Sequence, residues 1–379
     1  MNKLTVQDIN KYVGTTVNPL NSPNTVYELY SVPSFDSDYP EIIKGCEIGS
    51  SKVTVEENDV LVCKINPRIN RVWIVKHHTS NQLIASSEWV IVRSPENNPR
   101  YLMYYFQSPT FRTYINSGVT GIGGSLTRAQ PKHIATYPVP IPTIDKQNRI
   151  TTILDKLQSI ITHRKQQLEK LDLLVKSRFV EMFGDPITNP MKWKKEETNK
   201  HIDLLSGYPF KSDQYVEEGI NICGGLIIMP QRIEWESCVH WPTVQGYEDY
   251  LLEDGDIVMA LDRPWITEGF KVARVDGNHL PALLIQRTAR IRALDINQDY
   301  LYYCFINGGF DKHSNVTGSL VPHISARDIR SFEIMVPPIE LQEEFSKFMK
   351  QVDKSKFVVQ QALEKAQLLF DSLMQEYFG

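Results

Sequence analysis

Two long stretches of the chain repeat apolar residues every three or four positions, which is the pattern of a helix that packs along one seam. The first runs from Asp145 to Phe183, and only Arg164 and Arg178 interrupt its seam. Its apolar positions are Ile150, Leu154, Leu157, Ile161, Leu168, Leu171, Val175 and Met182. Prolines before this stretch and Gly184-Asp185-Pro186 after it indicate where one long helix begins and ends.

The second stretch follows Pro337-Pro338, and Lys356 interrupts its seam. Its apolar positions are Phe345, Met349, Val352, Val359, Leu363, Ala366, Phe370, Leu373 and Tyr377. Because an isolated helix is a poor folding unit, each seam must be buried against something. The economical partner is the other helix, so we expect an antiparallel coiled coil. The alternative is that each helix packs only on its own globular part.

The remainder of the chain contains short runs of β-forming residues bounded by turn residues. These runs are Val60–Ile65, Val72–Val75, Glu88–Arg93, Asp256–Ala260 and Arg287–Arg292. Tyr101–Phe106 and Tyr300–Phe305 instead look like the starts of amphipathic helices. The pattern therefore predicts an α+β fold.

The same segments recur in the same order in both halves, which indicates an internal duplication. Glu181-Met182-Phe183-Gly184 returns 195 positions later as Glu376-Tyr377-Phe378-Gly379. At the same offset, Pro142, Ile144 and Gln147 match Pro337, Ile339 and Gln342. Each copy is a globular domain followed by a long helix. The predicted organisation is a domain over 1–140, a helix over 141–186, a domain over 187–336 and a helix over 337–379.

The net charge of −4 does not by itself indicate a nucleic-acid-binding protein, but the charge is distributed unevenly. Residues 1–144 sum to +2 and residues 145–200 to +4, whereas residues 201–339 sum to −8 and residues 340–379 to −2. If the chain binds DNA, bulk charge does not hold it there. Local basic patches or a partner must then supply the phosphate contacts.

Composition also excludes several classes of protein. The five cysteines are scattered and form no C-x-x-C pair, which indicates reduced thiols rather than disulfides or zinc ligands. No apolar run is long enough to span a bilayer, and the first residues lack the layout of a signal peptide. We therefore expect a cytoplasmic protein.

No segment carries the motifs of an enzyme that acts on DNA. An adenine methyltransferase needs an Asn/Asp-Pro-Pro-aromatic tetrad to hold the flipped base, and Val336-Pro337-Pro338-Ile339 has the wrong flanks. The glycines from Gly118 to Gly124 lack the Lys-Ser/Thr of a phosphate-binding loop. Asp256 and Asp262 lack the third acidic residue of a metal nuclease. We expect no catalytic residue, metal or cofactor in this chain.

The duplicated arrangement resembles one family, the specificity subunits of type I restriction-modification systems. The resemblance rests on Pro138–Pro142, on the helix start Ile144-Asp145-Lys146-Gln147 and on Phe183-Gly184-Asp185-Pro186. It rests equally on Val336–Gln342 and on Gly207–Ser212, and it covers the whole chain. Each motif is loose alone, whereas their repeated order is specific.

The resemblance implies that each globular part is a target recognition domain that reads one half of a bipartite DNA site. The paired helices then act as a spacer and as the docking surface for methyltransferase subunits. Those partners would methylate adenine with S-adenosylmethionine, and a restriction motor subunit can join them. Two alternatives remain at this point: a stand-alone nuclease with duplicated binding domains, and a coiled-coil scaffold with no role on DNA.

Sequence reading requires side chains that pair with base edges, and cations and amides in loops are the candidates. The first set, Lys64, Asn66, Arg68, Asn70 and Arg71, follows a predicted strand. The counterparts in the second copy are Arg263, Trp265, Thr267 and Lys271. The loops before the long helices add Ser125, Arg128, Gln130, Lys132, Ser319, His323 and Arg327. The alternative for each is a solvated loop side chain, and we expect Arg287, Arg290 and Arg292 to pair with nearby acids.

Overall fold

The computed structural model describes residues 4–120, 127–314 and 322–379, which form two compact units. The first unit comprises Met1–Lys165 and Gln360–Gly379, and the second comprises Gln166–Val359. Each long helix therefore contributes one part to each unit.

The first unit combines two larger sheets and two two-stranded sheets with short helices. Its strands are β1 (Leu4–Thr5), β2 (Thr16–Val17), β3 (Val26–Tyr30), β4 (Glu41–Lys44), β5 (Lys52–Thr54), β6 (Val60–Cys63), β7 (Val72–Ile74), β8 (Gln82–Ala85), β9 (Trp89–Val92), β10 (Val119–Thr120), β11 (Arg128–Ala129) and β12 (Pro138–Val139). Its helices are α1 (Val6–Ile9), α2 (Pro99–Gln107), α3 (Pro109–Ser117), α4 (Pro131–Ala135) and the first part of α5 (Ile144–Phe183). The largest sheet has the order β2-β5-β8-β3-β4, a second sheet has the order β7-β6-β9, and the two-stranded sheets are β1-β12 and β10-β11.

The second unit repeats this plan. Its strands are β13 (Lys195–Glu197), β14 (Ile202–Ser206), β15 (Ile220–Cys223), β16 (Ile228–Met229), β17 (Arg232–Ile233), β18 (Val239–Trp241), β19 (Ile257–Ala260), β20 (Trp265–Ile266), β21 (Gly269–Phe270), β22 (Val272–Arg274), β23 (Ala282–Leu284), β24 (Thr288–Ala293) and β25 (Glu333–Met335). Its helices are α6 (Gln298–Asn307), α7 (Phe310–His313), α8 (Ala326–Arg330) and the first part of α9 (Ile339–Phe378). Its sheets have the orders β14-β24-β19-β22 and β18-β15-β23.

The central strands β6 and β19 show why the apolar runs fold as they do. Val60 and Val62 pack into the core beneath α2 and α3, whereas Leu61 and Cys63 pack into a second core. In β19, Ile257 and Met259 likewise face one core, whereas Val258 and Ala260 face another. A strand buried on both faces needs a continuous apolar run. The five predicted strands are confirmed to within two residues at either end. Both predicted helices are present but begin two residues earlier, and Tyr300–Phe305 is buried throughout rather than amphipathic.

The two long helices pair in an antiparallel manner, as predicted. In the first unit, Ile150 and Leu154 near the start of α5 share a core with Met374 and Phe378 at the end of α9. In the second unit, Val175, Phe179 and Phe183 of α5 share a core with Phe345, Met349 and Val352 of α9. The same cores contain domain residues, so each helix packs both on the other helix and on its own domain.

The predicted seam is buried along most of its length. Leu154, Leu157, Ile161, Val175, Met349, Val352 and Val359 are buried, and Leu168, Leu171, Leu363 and Phe370 are half-buried. Towards the end of each helix the buried face moves by one residue. Phe179 and Phe183 are buried where the heptad pattern placed Arg178 and Met182, and Met374 and Phe378 are buried in the second copy. The correction arises because a straight helix of 3.6 residues per turn drifts from a 3.5-residue repeat.

Two of the charged interruptions of the seam, Arg178 and Lys356, form ion pairs between the helices. The Arg178 guanidinium donates to Glu344 Oε1 at 2.7 Å. The Lys356 ammonium likewise donates to Asp172. Both bonds lie within the second unit, so the positions that break the apolar pattern still contribute to helix pairing there.

One ion pair between a domain and its helix has opposite polarity in the two repeats. In the first unit, Arg100 on α2 lies 2.6 Å from Asp155 on α5. In the second unit, Asp299 on α6 lies 3.8 Å from Lys350 on α9. These are equivalent positions, so exchanging the helices between the domains would bring like charges together. The reversal distinguishes two otherwise similar docking sites.

Candidate nucleic-acid interface

The turn between β6 and β7 carries the first set of predicted site residues. Asn66 and Asn70 have left-handed backbones, with φ values of 48° and 54°, and they flank a short turn over Pro67–Ile69. Asparagine adopts this conformation more readily than most residues, and proline favours the turn between them. As a result Arg68 and Ile69 are exposed at the tip, whereas Lys64 and Arg71 are half-buried at the base.

The structure joins this turn to the loop before α4, which the sequence analysis treated as a separate candidate. The backbone N–H of Asn66 donates to the Thr127 carbonyl at 2.9 Å, and that of Ala129 donates to the Lys64 carbonyl at 2.9 Å. Arg128, Gln130 and Lys132 are exposed on the loop and on α4. The two candidate sets of the first domain therefore belong to one surface.

The second unit has the same junction at equivalent positions. The backbone N–H of Arg263 donates to the Pro322 carbonyl at 2.7 Å, and that of Ile324 donates to the Leu261 carbonyl at 2.9 Å. Arg263 is exposed with a φ of 45°, and His323 and Arg327 are exposed beside it. We call each joined turn and loop a junction surface. The first comprises residues 64–71 and 127–132, and the second comprises residues 261–271 and 322–327.

The two junction surfaces differ in chemistry. Where the first has an asparagine-flanked turn, the second has a hairpin of β20 and β21 with Thr267 exposed at its tip. The Trp265 ring stacks on Phe270 with 4.8 Å between centroids. Lys271 is only 6% exposed and its ammonium donates to the Gly225 carbonyl. Burial, and then the nearby Arg263, lower the pKa of Lys271. Lys271 thus supports the hairpin from within.

Three polar atoms of the first turn are buried without a hydrogen-bond partner among the described residues: Asn66 Oδ1, Asn70 Oδ1 and Arg71 Nε. All three belong to residues that the sequence selected. An unpaired buried polar group costs free energy, and the turn would have to rearrange before a base edge could reach these atoms. Amides and guanidinium groups pair with the edges of adenine and guanine respectively.

Several candidate cations already have protein partners. The Arg128 guanidinium makes two bonds to the Glu88 carboxylate, at 3.2 and 3.0 Å. The sequence does not indicate that Glu88 pairs with Arg128, because a single acid at the start of a strand forms no recognisable pattern. His133 on α4 stacks on Tyr114 with 4.1 Å between ring centroids. Ser125 and Ser319 lie outside the described residues.

Arg290 and Arg292 of β24, and Arg287 immediately before it, pair with acids, as expected. Arg287 lies 2.8 Å from Asp262, Arg290 lies 2.6 Å from Asp203 and Arg292 lies 2.5 Å from Asp256. Asp256 is 3% exposed, and the equivalent Asp59 in the first unit is 1% exposed and pairs with Arg93. The pairs of Arg290, Arg292 and Arg93 brace the strands behind each junction surface, whereas the Arg287–Asp262 pair lies on the second surface itself.

Among the described residues, the cysteines form no disulfide and no cluster of metal ligands is present. All five cysteines are free, and burial raises the pKa of Cys304 to about 12, which keeps this thiol protonated at neutral pH. Within residues 4–120, 127–314 and 322–379, no three potential metal ligands come together. None of the described helices has a stretch apolar enough to cross a membrane.

Comparisons with known proteins agree on one family. The model of the family described as the type I restriction modification DNA specificity domain matches residues 6–171 and 243–367. The chain is 23% identical over 328 residues to the type I restriction enzyme MjaVIII specificity subunit of Methanocaldococcus jannaschii, covering 82% of this chain and 76% of that one.

Two solved structures share the fold. A chain from a study of complex assembly and conformational transition of the type I R-M system has a TM-score of 0.57 at 16% identity, covering 99% of this chain and 96% of that one. The type I restriction-modification S subunit from M. genitalium has a TM-score of 0.55 at 11% identity, covering 98% and 97%.

Proposed function

The chain belongs to the type I restriction modification DNA specificity family, and we propose that its two junction surfaces read the two halves of one gapped DNA site. As a type I specificity subunit it contains two target recognition domains. The first domain would present Lys64, Asn66, Arg68, Asn70 and Arg71 together with Arg128, Gln130 and Lys132. The second would present Arg263, Trp265, Thr267, His323 and Arg327. Lys271 would hold the hairpin that carries Trp265 and Thr267.

One observation carries this proposal: the same backbone junction occurs in both repeats, while the side chains on it differ. The bonds from Asn66 to Thr127 and from Arg263 to Pro322 occupy equivalent positions. The shared backbone bonds place the two loops alike on their domains, although the first carries a short asparagine-flanked turn and the second a β-hairpin. Unequal side chains then give each domain its own preference among base pairs, since base edges are distinguished by donor and acceptor patterns.

The long helices would separate the two domains and bind methyltransferase subunits, which a restriction motor subunit can join. The chain itself would be non-catalytic. S-adenosylmethionine and the transfer of its methyl group to adenine would belong to the methyltransferase subunits. The net charge of −8 over residues 201–339 is consistent with these separate roles of the subunits. A domain with that charge needs a partner to contribute phosphate contacts.

Two other functions receive no support from the family: a stand-alone nuclease and a scaffold without a role on DNA. The first predicts cleavage by the purified chain with Mg²⁺. The second predicts that no DNA sequence is preferred even when partner subunits are present.

Adenine methylation mapping in cells that express this chain with its neighbouring methyltransferase subunit tests the proposal. We expect one gapped motif. Arg68→Ala should relax the half read by the first domain, and Arg263→Asn should relax the other half. Asparagine is chosen because it tolerates the positive φ of this position. Loss of one bidentate base contact should cost about 1–3 kcal/mol of discrimination.

The exposed Lys170 on α5 provides the control, because Lys170→Ala removes a cation without touching either junction surface. It should leave both halves of the motif unchanged. Methylation without a gapped motif by an active complex would refute the proposal. So would a change in both halves from Arg68→Ala alone.

A further inference from the structure

Each long helix buries one glutamine near its start, at equivalent positions in the two repeats. Gln147 and Gln342 are the fourth residues of α5 and α9, and each is 1% exposed. In the sequence, Gln147 and Gln342 stand out only because they occupy matching positions in the two repeats. A buried polar side chain is costly unless it is fully hydrogen-bonded, so its bonds indicate its role.

In the first unit, the Gln147 amide connects three segments. Its Oε1 accepts a hydrogen bond from the backbone N–H of Asn98 at 2.9 Å. Its Nε2 donates to Asn97 Oδ1 at 2.8 Å and to the Pro142 carbonyl at 3.0 Å. Asn98 is the N-cap of α2, and its own side chain accepts from the backbone N–H of Arg100. One amide therefore holds the domain helix, the long helix and the turn before it.

The second unit has the same arrangement. Gln342 Oε1 accepts from the backbone N–H of Asn297 at 2.9 Å, and its Nε2 donates to the Pro337 carbonyl at 2.8 Å. Asn297 is the N-cap of α6, as Asn98 is of α2. We call each glutamine with its N-cap and proline partners a clasp.

A tyrosine reinforces each clasp from the domain side. The Tyr101 hydroxyl donates to the Pro140 carbonyl, and the Tyr300 hydroxyl donates to the Met335 carbonyl, both at 2.9 Å. These carbonyls lie two residues before the proline partner of each glutamine. The first turn of each domain helix is thus bound twice to the segment that leads into the long helix, which leaves the domain little freedom to rotate on that helix.

We propose that Gln147 and Gln342 are positioning residues that fix the orientation of each recognition domain on its helix and thereby fix the number of base pairs between the two half-sites. This inference rests on the proposed function. The junction surfaces determine which bases are read, whereas the clasps determine where along the duplex each domain reads. One base pair is about 3.4 Å along the axis, so a small rotation of a domain changes the preferred gap.

Gln147→Met and Gln342→Met test the inference, because methionine has a similar volume and no amide. Each is mapped by adenine methylation in the full chain with the methyltransferase subunit. For a wild-type gap of n base pairs, the ratio of methylation at gaps of n−1 and n+1 to methylation at n should rise about tenfold, which corresponds to about 1.4 kcal/mol of lost restraint. The bases recognised in each half should stay the same.

The exposed Gln158 on α5 and Gln351 on α9 provide matched controls. Gln158→Met and Gln351→Met should keep a single gap. Should Gln147→Met fail to fold, Tyr101→Phe removes only the bond from the Tyr101 hydroxyl to the Pro140 carbonyl and keeps the ring, and it should widen the gap preference less strongly.

The outcomes separate the two proposals. A wild-type complex without a gapped motif would overturn the proposed function and this inference with it. A wild-type gapped motif, combined with an unchanged single gap in the folded clasp variants, would overturn the inference alone. Merely reduced methylation at the original gap would show that the glutamines serve stability only.

Discussion

Leu157→Asp combined with Leu171→Asp is expected to unfold the paired helices and to abolish binding of the methyltransferase subunit at the same time. Leu157 is 9% exposed, and Leu171 packs against the core of the second unit. A carboxylate at either position would be buried without a partner, which costs several times more than an exposed charge. Circular dichroism measures the lost helicity, and co-purification measures the lost binding.

The neighbouring residues provide matched controls for this variant. Gln158 and Lys170 are exposed on the same helix, one residue after Leu157 and one before Leu171. Gln158→Asp with Lys170→Asp places two carboxylates with the same helix propensity on the exposed face and removes one cation, and helicity should persist. Retained helicity and binding in the leucine variant would argue strongly against a helix pair as the spacer.

Phe179→Ala is expected to destabilise the second unit by about 3–5 kcal/mol, the usual cost of truncating a buried phenylalanine. The ring is 1% exposed and lies within 4.8–5.7 Å, centroid to centroid, of Phe183, Tyr300, Tyr303 and Phe345. These partners belong to α5, α6 and α9, so the cavity would loosen the domain and both helices together. Urea unfolding of the purified chain measures the change.

Val180→Ala is the control, because Val180 follows Phe179 directly and is 41% exposed. Its effect should stay within about 0.5 kcal/mol, as for most surface substitutions. Equal effects of the two substitutions would contradict the one-residue shift of the buried face.

The secondary structure was predictable because each local pattern agrees with the tertiary environment of its element. Val60–Cys63 is apolar throughout and is buried on both faces of its sheet. The helix end at Gly184 was equally readable: its φ is 80°, and a Cβ atom there would lie 2.8 Å from the Pro190 ring. The predicted seam was wrong by one residue at the ends of α5 and α9. A heptad repeat keeps one face buried only in a supercoiled helix, and a helix that packs on a domain need not be supercoiled.

The sequence supplied candidate site residues, which remain a prediction, but it did not show which of them lie together on one surface. Loop cations and asparagines could be selected by chemistry alone. Whether the turn after β6 meets the loop before α4, about sixty residues away, depends on long-range backbone bonds that no local pattern encodes. Burial of Lys271 depends in the same way on the Gly225 carbonyl, which reaches it from another strand connection.

By itself, the amino-acid sequence determined the duplication, the order of domains and helices, the antiparallel pairing and the family. The duplication, the order of elements and the helix pairing follow from periodicity, repetition and connectivity along the chain, whereas the family follows from the resemblance of its motifs to known specificity subunits. The tertiary structure alone decided which loops form one junction surface, which cations are committed to ion pairs, and that Gln147 and Gln342 hold each domain to its helix. The reason is physical: a hydrogen bond between residues far apart in sequence is set by the packing of whole elements, and it leaves no mark on the residues between them.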